Sequence, residues 1–246
     1  MQEVQVDKIR NYIHLLSGGL DSTYALLKLA TDIDRGKKEE HQIQPIFIDY
    51  GQAVAKYEAE SARDVTAFIR TRLGEARLLL DPIHICLRSD LFTWCNNVAF
   101  TGAEVGDETC EIQNRNMVLV SIVASYLMAC AKNQGVGTTI FEIHSGLKDG
   151  EMRDSKRSFF DRLEDLLREY SGQYAFKVEL IPESTRDKIC AQTKHLLKGS
   201  ELQLKQLLAL TVSCYSPING RKPCGHCLKC RTMKQEKKFA RLSGLS

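Results

Sequence analysis

The chain has 246 residues, 43% of them hydrophobic and 26% charged, which excludes disorder and low complexity as a global description. Its length suits one large α/β domain, or one domain with a small appendage, around a substantial core. The net charge of +3 conceals an asymmetry. Residues 220–246 hold eight basic residues (Arg221, Lys222, Lys229, Arg231, Lys234, Lys237, Lys238, Arg241) and one acid, Glu236, so the tail carries +7 and the rest −4. Such a tail is either a solvated helix face or an attractor of an anionic substrate, a nucleic acid or an acidic partner.

Met1 to Arg10 is polar and lacks an apolar signal core, so a reducing, cytoplasmic location is expected. Tyr12 to Leu16 reads as a strand and Asp21 to Asp34 as the helix after it. Ile43 to Ile48 is a second strand, Ala55 to Leu73 a helix, and Arg77 to Ile85 a third strand. Ser89 to Gln113 has no clear pattern, and loops there would cover a site. The apolar run Met117 to Ala131, opened by Asn116, is too short to span a bilayer and predicts a buried helix, with no membrane partner. Thr139 to His144 is a fourth strand, Asp154 to Tyr170 an amphipathic helix and Phe176 to Ile181 a fifth strand. Helices follow at Arg186 to Leu197 and Glu201 to Leu210. Strands alternating with helices predict βαβ units and a parallel sheet.

Three motifs sit where such a sheet binds ligands. The first strand runs into Ser17-Gly18-Gly19-Leu20-Asp21-Ser22-Thr23, at the start of a helix. Glycines let the backbone approach a ligand, and the free N–H groups at a helix N-terminus attract phosphate. The Ser17 and Ser22 hydroxyls add donors, while Asp21 either caps the helix or holds Mg²⁺. No lysine follows the glycines, so this is not a Walker A loop. The second strand ends in Asp49-Tyr50-Gly51-Gln52, beyond the carboxyl edge of the sheet, where nucleotide or substrate contacts are expected. Gln113-Asn114-Arg115-Asn116 opens the buried helix, with Asn114 or Asn116 the natural cap. Arg115 opposes the helix dipole there, which predicts an anion beside it.

Nine cysteines in a reducing compartment point to metal before disulfides. Cys224-Gly225-His226-Cys227-Leu228-Lys229-Cys230 forms two C-x-x-C steps sharing a cysteine, and Cys214 lies ten positions upstream. These four supply the thiolates that structural Zn²⁺ prefers; an iron–sulfur cluster is the alternative. His226 reads as solvent-facing or supporting rather than ligating. Cys86, Cys95, Cys110, Cys130 and Cys190 are scattered and read as core thiols.

The Ser-Gly-Gly-x-Asp-Ser loop resembles the pyrophosphate loop of the ATP pyrophosphatases. Together with Asp-Tyr-Gly-Gln, Arg-Asn opening a central helix, and Ser-Cys-Tyr before Cys-Gly-x-Cys-x-x-Cys, it resembles the 7-cyano-7-deazaguanine synthase family, usually called QueC, from Tyr12 to about Lys234. The resemblance implies a Rossmann-like, doubly wound parallel sheet, ATP with Mg²⁺, a deazaguanine substrate and a homodimer. It divides the chain into a nucleotide-binding core, residues 11–183, and a helical part, residues 184–246, with one structural zinc on Cys214, Cys224, Cys227 and Cys230. Family members adenylate 7-carboxy-7-deazaguanine, let ammonia displace AMP to form an amide, and activate the amide with a second ATP to give the nitrile. By resemblance, Asp21, Arg115 and Lys188 carry the chemistry. Ser17, Gly18, Gly19, Asp21, Ser22, Thr23, Asp49, Tyr50, Gln52, Asn116 and Gly146 bind the nucleotide or substrate.

Departures fall on the substrate side. The family's Pro-Gly-Arg-Asn is Gln113-Asn114-Arg115-Asn116 here. Its Tyr-Pro-Asp-Cys-Arg run is replaced within Ser145 to Lys156, where only Asp154 and Lys156 match the family's Asp and Arg; Asp187-Lys188 matches its later Asp-Lys. One alternative is therefore a QueC-like ligase that joins the deazaguanine acid to an amine of a partner protein in an antiviral operon. A tRNA-modifying pyrophosphatase is a second, opposed by the lack of a recognisable RNA-binding appendage, and a non-catalytic nucleotide-binding module is a third.

Overall fold

The computed structural model describes residues 11–38, 42–72, 79–87, 115–150, 155–182, 185–218 and 220–243. Within them β1 (Asn11–Leu15), β2 (Ile43–Asp49), β3 (Ile83–Cys86), β4 (Thr139–Lys148) and β5 (Tyr174–Ile181) form one sheet in the order β3-β2-β1-β4-β5. Each neighbouring pair is parallel. The helices are α1 (Leu20–Asp34), α2 (Ala55–Arg72), α3 (Arg115–Asn133), α4 (Arg157–Ser171), α5 (Arg186–Leu196), α6 (Glu201–Leu210), α7 (Leu228–Gln235) and α8 (Lys237–Ser243). This is the Rossmann-like, doubly wound α/β architecture that the sequence predicts.

The strand order explains the layers. The chain winds outward from β1 through α1 and α2, then restarts at β4 and winds the other way. Because crossovers between parallel strands are right-handed, the reversal puts α1 and α2 on one face and α3 and α4 on the other. The core divides accordingly. Tyr12 and Leu16 pack with Leu26, Val65 and Ile69 on the first face, while Ile13 packs with Val123, Ile143 and Phe160 on the second. Between β1 and β4, where winding reverses, a doubly wound sheet opens a crevice for ligands.

The tail helices close over the first face. Ile189, Leu204, Leu207, Met233 and Phe239 belong to the same buried cluster as α1. Eleven of the fifteen α1 residues are buried as a result, a fraction expected of a helix enclosed by a sheet below and helices above. On the other face α3 buries Val120, Val123, Ala124, Leu127 and Ala131. At 19 residues it is long and apolar enough, by length and composition, to cross a membrane, unlike the shorter run counted from sequence. One stripe of it packs on the sheet, as predicted of a core helix, and Met117 on its outer side is exposed.

Several boundaries move. β4 continues four residues past His144, with a register irregularity between His144 and Lys148. Ser145-Gly146 has the chemistry of a turn, but here Gly146 lets β4 pass the first turn of α1 in direct backbone contact. A Cβ on Gly146 would stand 2.3 Å from Ser22 N. β3 runs Ile83–Cys86, Leu79 makes only an isolated bridge to Ile43, and Arg77, where the strand was expected to begin, lies outside the described residues. The short polar helices α7 and α8 carry no apolar period long enough to predict. Cys190 is a core thiol as expected, whereas Cys86, outward on edge strand β3, is exposed and Cys130 is half-buried. Gln113, Asn114, Asp154, Cys95, Cys110 and the stretch 89–113 lie outside the described residues.

Replacing Gly146 with alanine forces β4 and α1 apart. We expect a loss of about 3 kcal/mol, typical of severe overpacking, measured by urea unfolding.

Candidate functional site

The site begins where β1 gives way to α1. Gly18 has φ +72°, and a Cβ there would meet Glu58 O at 2.7 Å and Ser61 Cβ at 2.8 Å, so conformation and space both demand glycine. Its carbonyl accepts from Ser61 Oγ at 2.7 Å and from Val212 N at 2.9 Å, which fastens the loop to α2 and to the segment after α6. Ser17 Oγ and Ser22 Oγ lie 3.0 Å apart, and Ser22 Oγ also bonds Gly19 O at 3.1 Å. The N-cap is Gly19, without a capping side chain. Asp21 is therefore not the cap; it stands inside the first turn, where helix amides lack i−4 carbonyl partners.

Among the described residues, three buried polar atoms here have no hydrogen-bond partner: Asp21 Oδ1, Thr23 Oγ1 and His14 Nδ1. Leaving such groups unsatisfied costs about 1–3 kcal/mol each, which marks a site built for a ligand rather than for maximal stability. Asp21 Oδ2 faces the buried ammonium of Lys148 at 3.4 Å. An acidic oxygen with an open partner position, in the first turn of a helix, fits Mg²⁺, a hard cation that takes few protein carboxylates. His14 sits under the loop and donates Nε2–H to Ser22 O at 2.8 Å. Burial, reinforced by His144 on the adjacent strand, pushes its pKa down to about 3, so it remains a neutral strut.

The turn after β2 forms the neighbouring wall. Gly51 N donates to Asp49 Oδ1, and Tyr50 N to Gln52 Oε1, both at 2.9 Å. Gln52 is buried and spends its amide protons on Ile48 O and, at 2.8 Å, on Glu58 Oε2. It thus braces the turn and aims Glu58 of α2. Arg115, the first residue of α3, hydrogen-bonds the Tyr50 side chain and faces Glu58 electrostatically. Arg115 therefore has an acidic side chain of the protein, Glu58, in its electrostatic surroundings. Burial pushes the Glu58 carboxyl up to about 7, against the opposing pull of Gln52, Arg115 and Lys229. Burial likewise raises the Tyr50 phenol.

Asn116 is buried in the first turn of α3. Lys188 is exposed in the first turn of α5, its amide bonded to Thr185 Oγ1. Asp187, beside it, ties α5 to the tail by accepting from Phe239 N at 2.9 Å. Glu58, Ser61, Lys148, Ser213 and Lys229 escaped the sequence reading. Lys148 was hidden because the strand seemed to end at His144, and Glu58 because one acid in an amphipathic helix carries no pattern.

At the far end of the tail, the sulfurs of Cys214, Cys224, Cys227 and Cys230 lie within 4.8 Å of one another. Four contacts measure 3.5, 3.6, 3.8 and 3.9 Å. Sulfurs at tetrahedral vertices about 2.3 Å from Zn²⁺ would stand about 3.8 Å apart, and a disulfide would need about 2.0 Å, so the cage fits zinc. Amides of Ser216, Cys224 and Cys227 donate to ligand sulfurs at 3.3–3.4 Å. Four thiolates this close require a cation. The neighbouring Ser213 Oγ accepts from Leu20 N at 3.4 Å, placing the metal cage one residue from a contact with the phosphate loop.

A family model described as "Queuosine biosynthesis protein QueC" matches residues 11–240. The chain belongs to the QueC family. Relatives of this QueC-family chain include 7-cyano-7-deazaguanine synthase 1 of Desulfitobacterium hafniense, 25% identical over 93% of this chain and 90% of that protein. The 7-cyano-7-deazaguanine synthases of Erythrobacter litoralis (27%; 90% of this chain, 85% of that protein) and Archaeoglobus fulgidus (28%; 89% and 82%) are similarly related. The matched span takes in the phosphate loop, the Arg115 helix start and all four cysteines of this QueC-family chain.

Two outcomes follow. Chelating the metal is expected to unfold the tail, since structural zinc supplies on the order of 10 kcal/mol; limited proteolysis should then cut between α6 and α8. Glu58 has a folded pKa above its unfolded one, so it stabilises below pH 4.5 and costs stability as pH rises toward 7. Glu58→Gln should match the parent at pH 4 and exceed it by about 1–3 kcal/mol at pH 8, measured by urea unfolding.

Proposed function

We propose that this chain is an ATP-dependent C–N ligase that adenylates the carboxylate of 7-carboxy-7-deazaguanine, joins it to ammonia as an amide, and activates the amide with a second ATP to form the nitrile. The observation that carries the reading is the glycine-built loop at the β1/β4 switch point, with its partnerless Asp21 oxygen, in a chain of the QueC family. The names of the relatives, 7-cyano-7-deazaguanine synthase, supply the product.

In this reading the loop from Ser17 to Thr23 receives the ATP phosphates on the first-turn amides of α1, with Gly18 and Gly19 admitting them to the backbone. Asp21 would hold Mg²⁺, which supplies charge neutralisation and orientation of the phosphates when bound. Asp49, Tyr50 and Asn116 border the adenosine and the acid, and Gly146 keeps β4 close beneath them. Arg115 and Lys188 neutralise charge that develops as pyrophosphate departs, each worth about 3–4 kcal/mol if fully preorganised. Zinc on the four cysteines holds the tail in place. Glu58, poised near neutrality, is suited to taking a proton from the incoming nitrogen nucleophile.

Incubation with ATP, Mg²⁺ and 7-carboxy-7-deazaguanine should yield AMP and pyrophosphate, with amide and nitrile appearing only when ammonium is present, as read by mass spectrometry. Asp21→Asn should lower AMP formation at least a hundredfold at unchanged zinc content. Absence of AMP from the parent protein would refute the reading.

A further inference from the structure

Counting hydroxyl protons around the phosphate loop separates its serines into two kinds. A serine hydroxyl has one proton to donate and two lone pairs with which to accept. Ser22 Oγ donates to Gly19 O at 3.1 Å, so the 3.0 Å contact between the two hydroxyls is donated by Ser17, which in turn accepts from Gly19 N at 3.4 Å. The circuit closes on Gly19. Both protons that the sequence offers to a ligand are therefore spent on the shape of the loop itself.

Ser213 is the other kind. It lies between α6 and the cysteines, preceded by the Val212 N to Gly18 O bond and followed at once by Cys214 of the sulfur cage. Its Oγ accepts from Leu20 N, the first amide of α1, at 3.4 Å, and a Cβ on Gly19 would stand 3.8 Å from it. The N-cap of α1, Gly19, has no capping side chain, so Ser213 serves as a cap from 193 residues away. A cap needs only a lone pair. Among the described residues the Ser213 hydroxyl proton has no acceptor. In the same turn Thr23 Oγ1 and Asp21 Oδ1 are buried without partners, which independently marks this terminus as a place for a ligand.

We infer that Ser213 is a binding residue of the phosphate site, donating its hydroxyl proton to a phosphate oxygen while a lone pair still holds the Leu20 amide. This rests on the ATP-dependent reading above. A hydroxyl that donates to an oxyanion makes a charge-assisted bond, stronger than the neutral bond it makes as a cap. The segment that carries the first cysteine of the metal cage thereby reaches the ligand itself, and the tail is part of the binding surface as well as its brace.

A hydroxyl that only caps α1 would affect folding and leave ligand affinity alone, and titration calorimetry with inorganic pyrophosphate and Mg²⁺ separates the two roles. Ser213→Ala should weaken pyrophosphate binding about 10–100-fold at unchanged zinc content, the usual worth of a hydrogen bond to a charged group, and Ser213→Thr, which keeps the hydroxyl, should stay within about threefold of the parent. An alanine variant that binds within about threefold of the parent overturns the inference, whatever its stability. Should that variant not fold or lose its zinc, the parent protein decides. In a crystal structure of the parent with pyrophosphate bound, Ser213 Oγ should lie within about 3.2 Å of a phosphate oxygen, and a separation beyond about 3.5 Å overturns the inference. Pyrophosphate binding needs no turnover, so a parent protein that binds it but makes no AMP refutes the ligase reading while Ser213 is still judged. A parent that binds neither pyrophosphate nor ATP overturns both.

Discussion

The carbonyl of Gly18 is the point at which three parts of the molecule meet. It accepts one hydrogen bond from α2 through Ser61 and one from the chain after α6 through Val212 N. Ser61 Oγ also lies 2.6 Å from Leu210 O, so a single hydroxyl joins phosphate loop, second helix and tail. A phosphate loop must present its amides outward and therefore cannot satisfy them with its own carbonyls. Its rigidity has to come from neighbours that hold those carbonyls instead. Here the neighbours are distant in sequence, and the loop is ordered only when the whole α1 face has assembled.

The four-cysteine cage bears on that constraint. The segment carrying Val212 and Ser213 ends at Cys214, the first ligand of the sulfur cage, and α7 begins immediately after Cys227. The four cysteine sulfurs hydrogen-bond one another at 3.5–3.9 Å, and the short polar helices α7 and α8 have little propensity to persist alone. Zinc held by these sulfurs would fix this corner and the segment that braces the loop. The basic tail is partly absorbed in the same closure: Arg221 pairs with Asp64 of α2, Arg186 with Glu236, and Lys229 contributes to the field at Glu58. These contacts engage two of the eight basic tail residues, while the tail's one acid, Glu236, pairs with a cation of the body.

Fold class, the five strands and the four sulfurs were legible because each rests on local regularity: period-two or continuous apolar runs, helical spacing, and cysteines at metal-ligand intervals. The missed residues share a different property. Lys148 depends on β4 continuing through Ser145-Gly146, which happens only because α1 offers a backbone surface against which a glycine alone fits. Glu58 depends on Gln52 turning back from the β2 turn, Ser61 on the Gly18 carbonyl 43 residues away, and Ser213 on the Leu20 amide 193 residues away. These are consequences of tertiary contact, and no window along the chain contains both partners. Arg115 shows the intermediate case. Its position at a helix start suggested an anion nearby, yet nothing local pointed to Tyr50 and Glu58 on other elements as its surroundings.

The balance of charge around the loop has its own logic. Asp21 and Glu58 place two acids beside a helix terminus meant for a triphosphate, which looks self-defeating until their partners are counted. Each acid faces cations from elsewhere in the fold, Lys148 for Asp21, and Arg115 with Lys229 for Glu58. The acids thereby keep buried cations in place before a nucleotide arrives, at a desolvation cost that unpaired ammonium or guanidinium groups could not sustain. In the ligase reading proposed above, an incoming polyanion would meet cations already positioned, and the acids would be left to a metal ion or a proton. Burial holds the Glu58 carboxyl up at about 7, which suits the proton, whereas Asp21, with one oxygen lacking a partner among the described residues, suits metal.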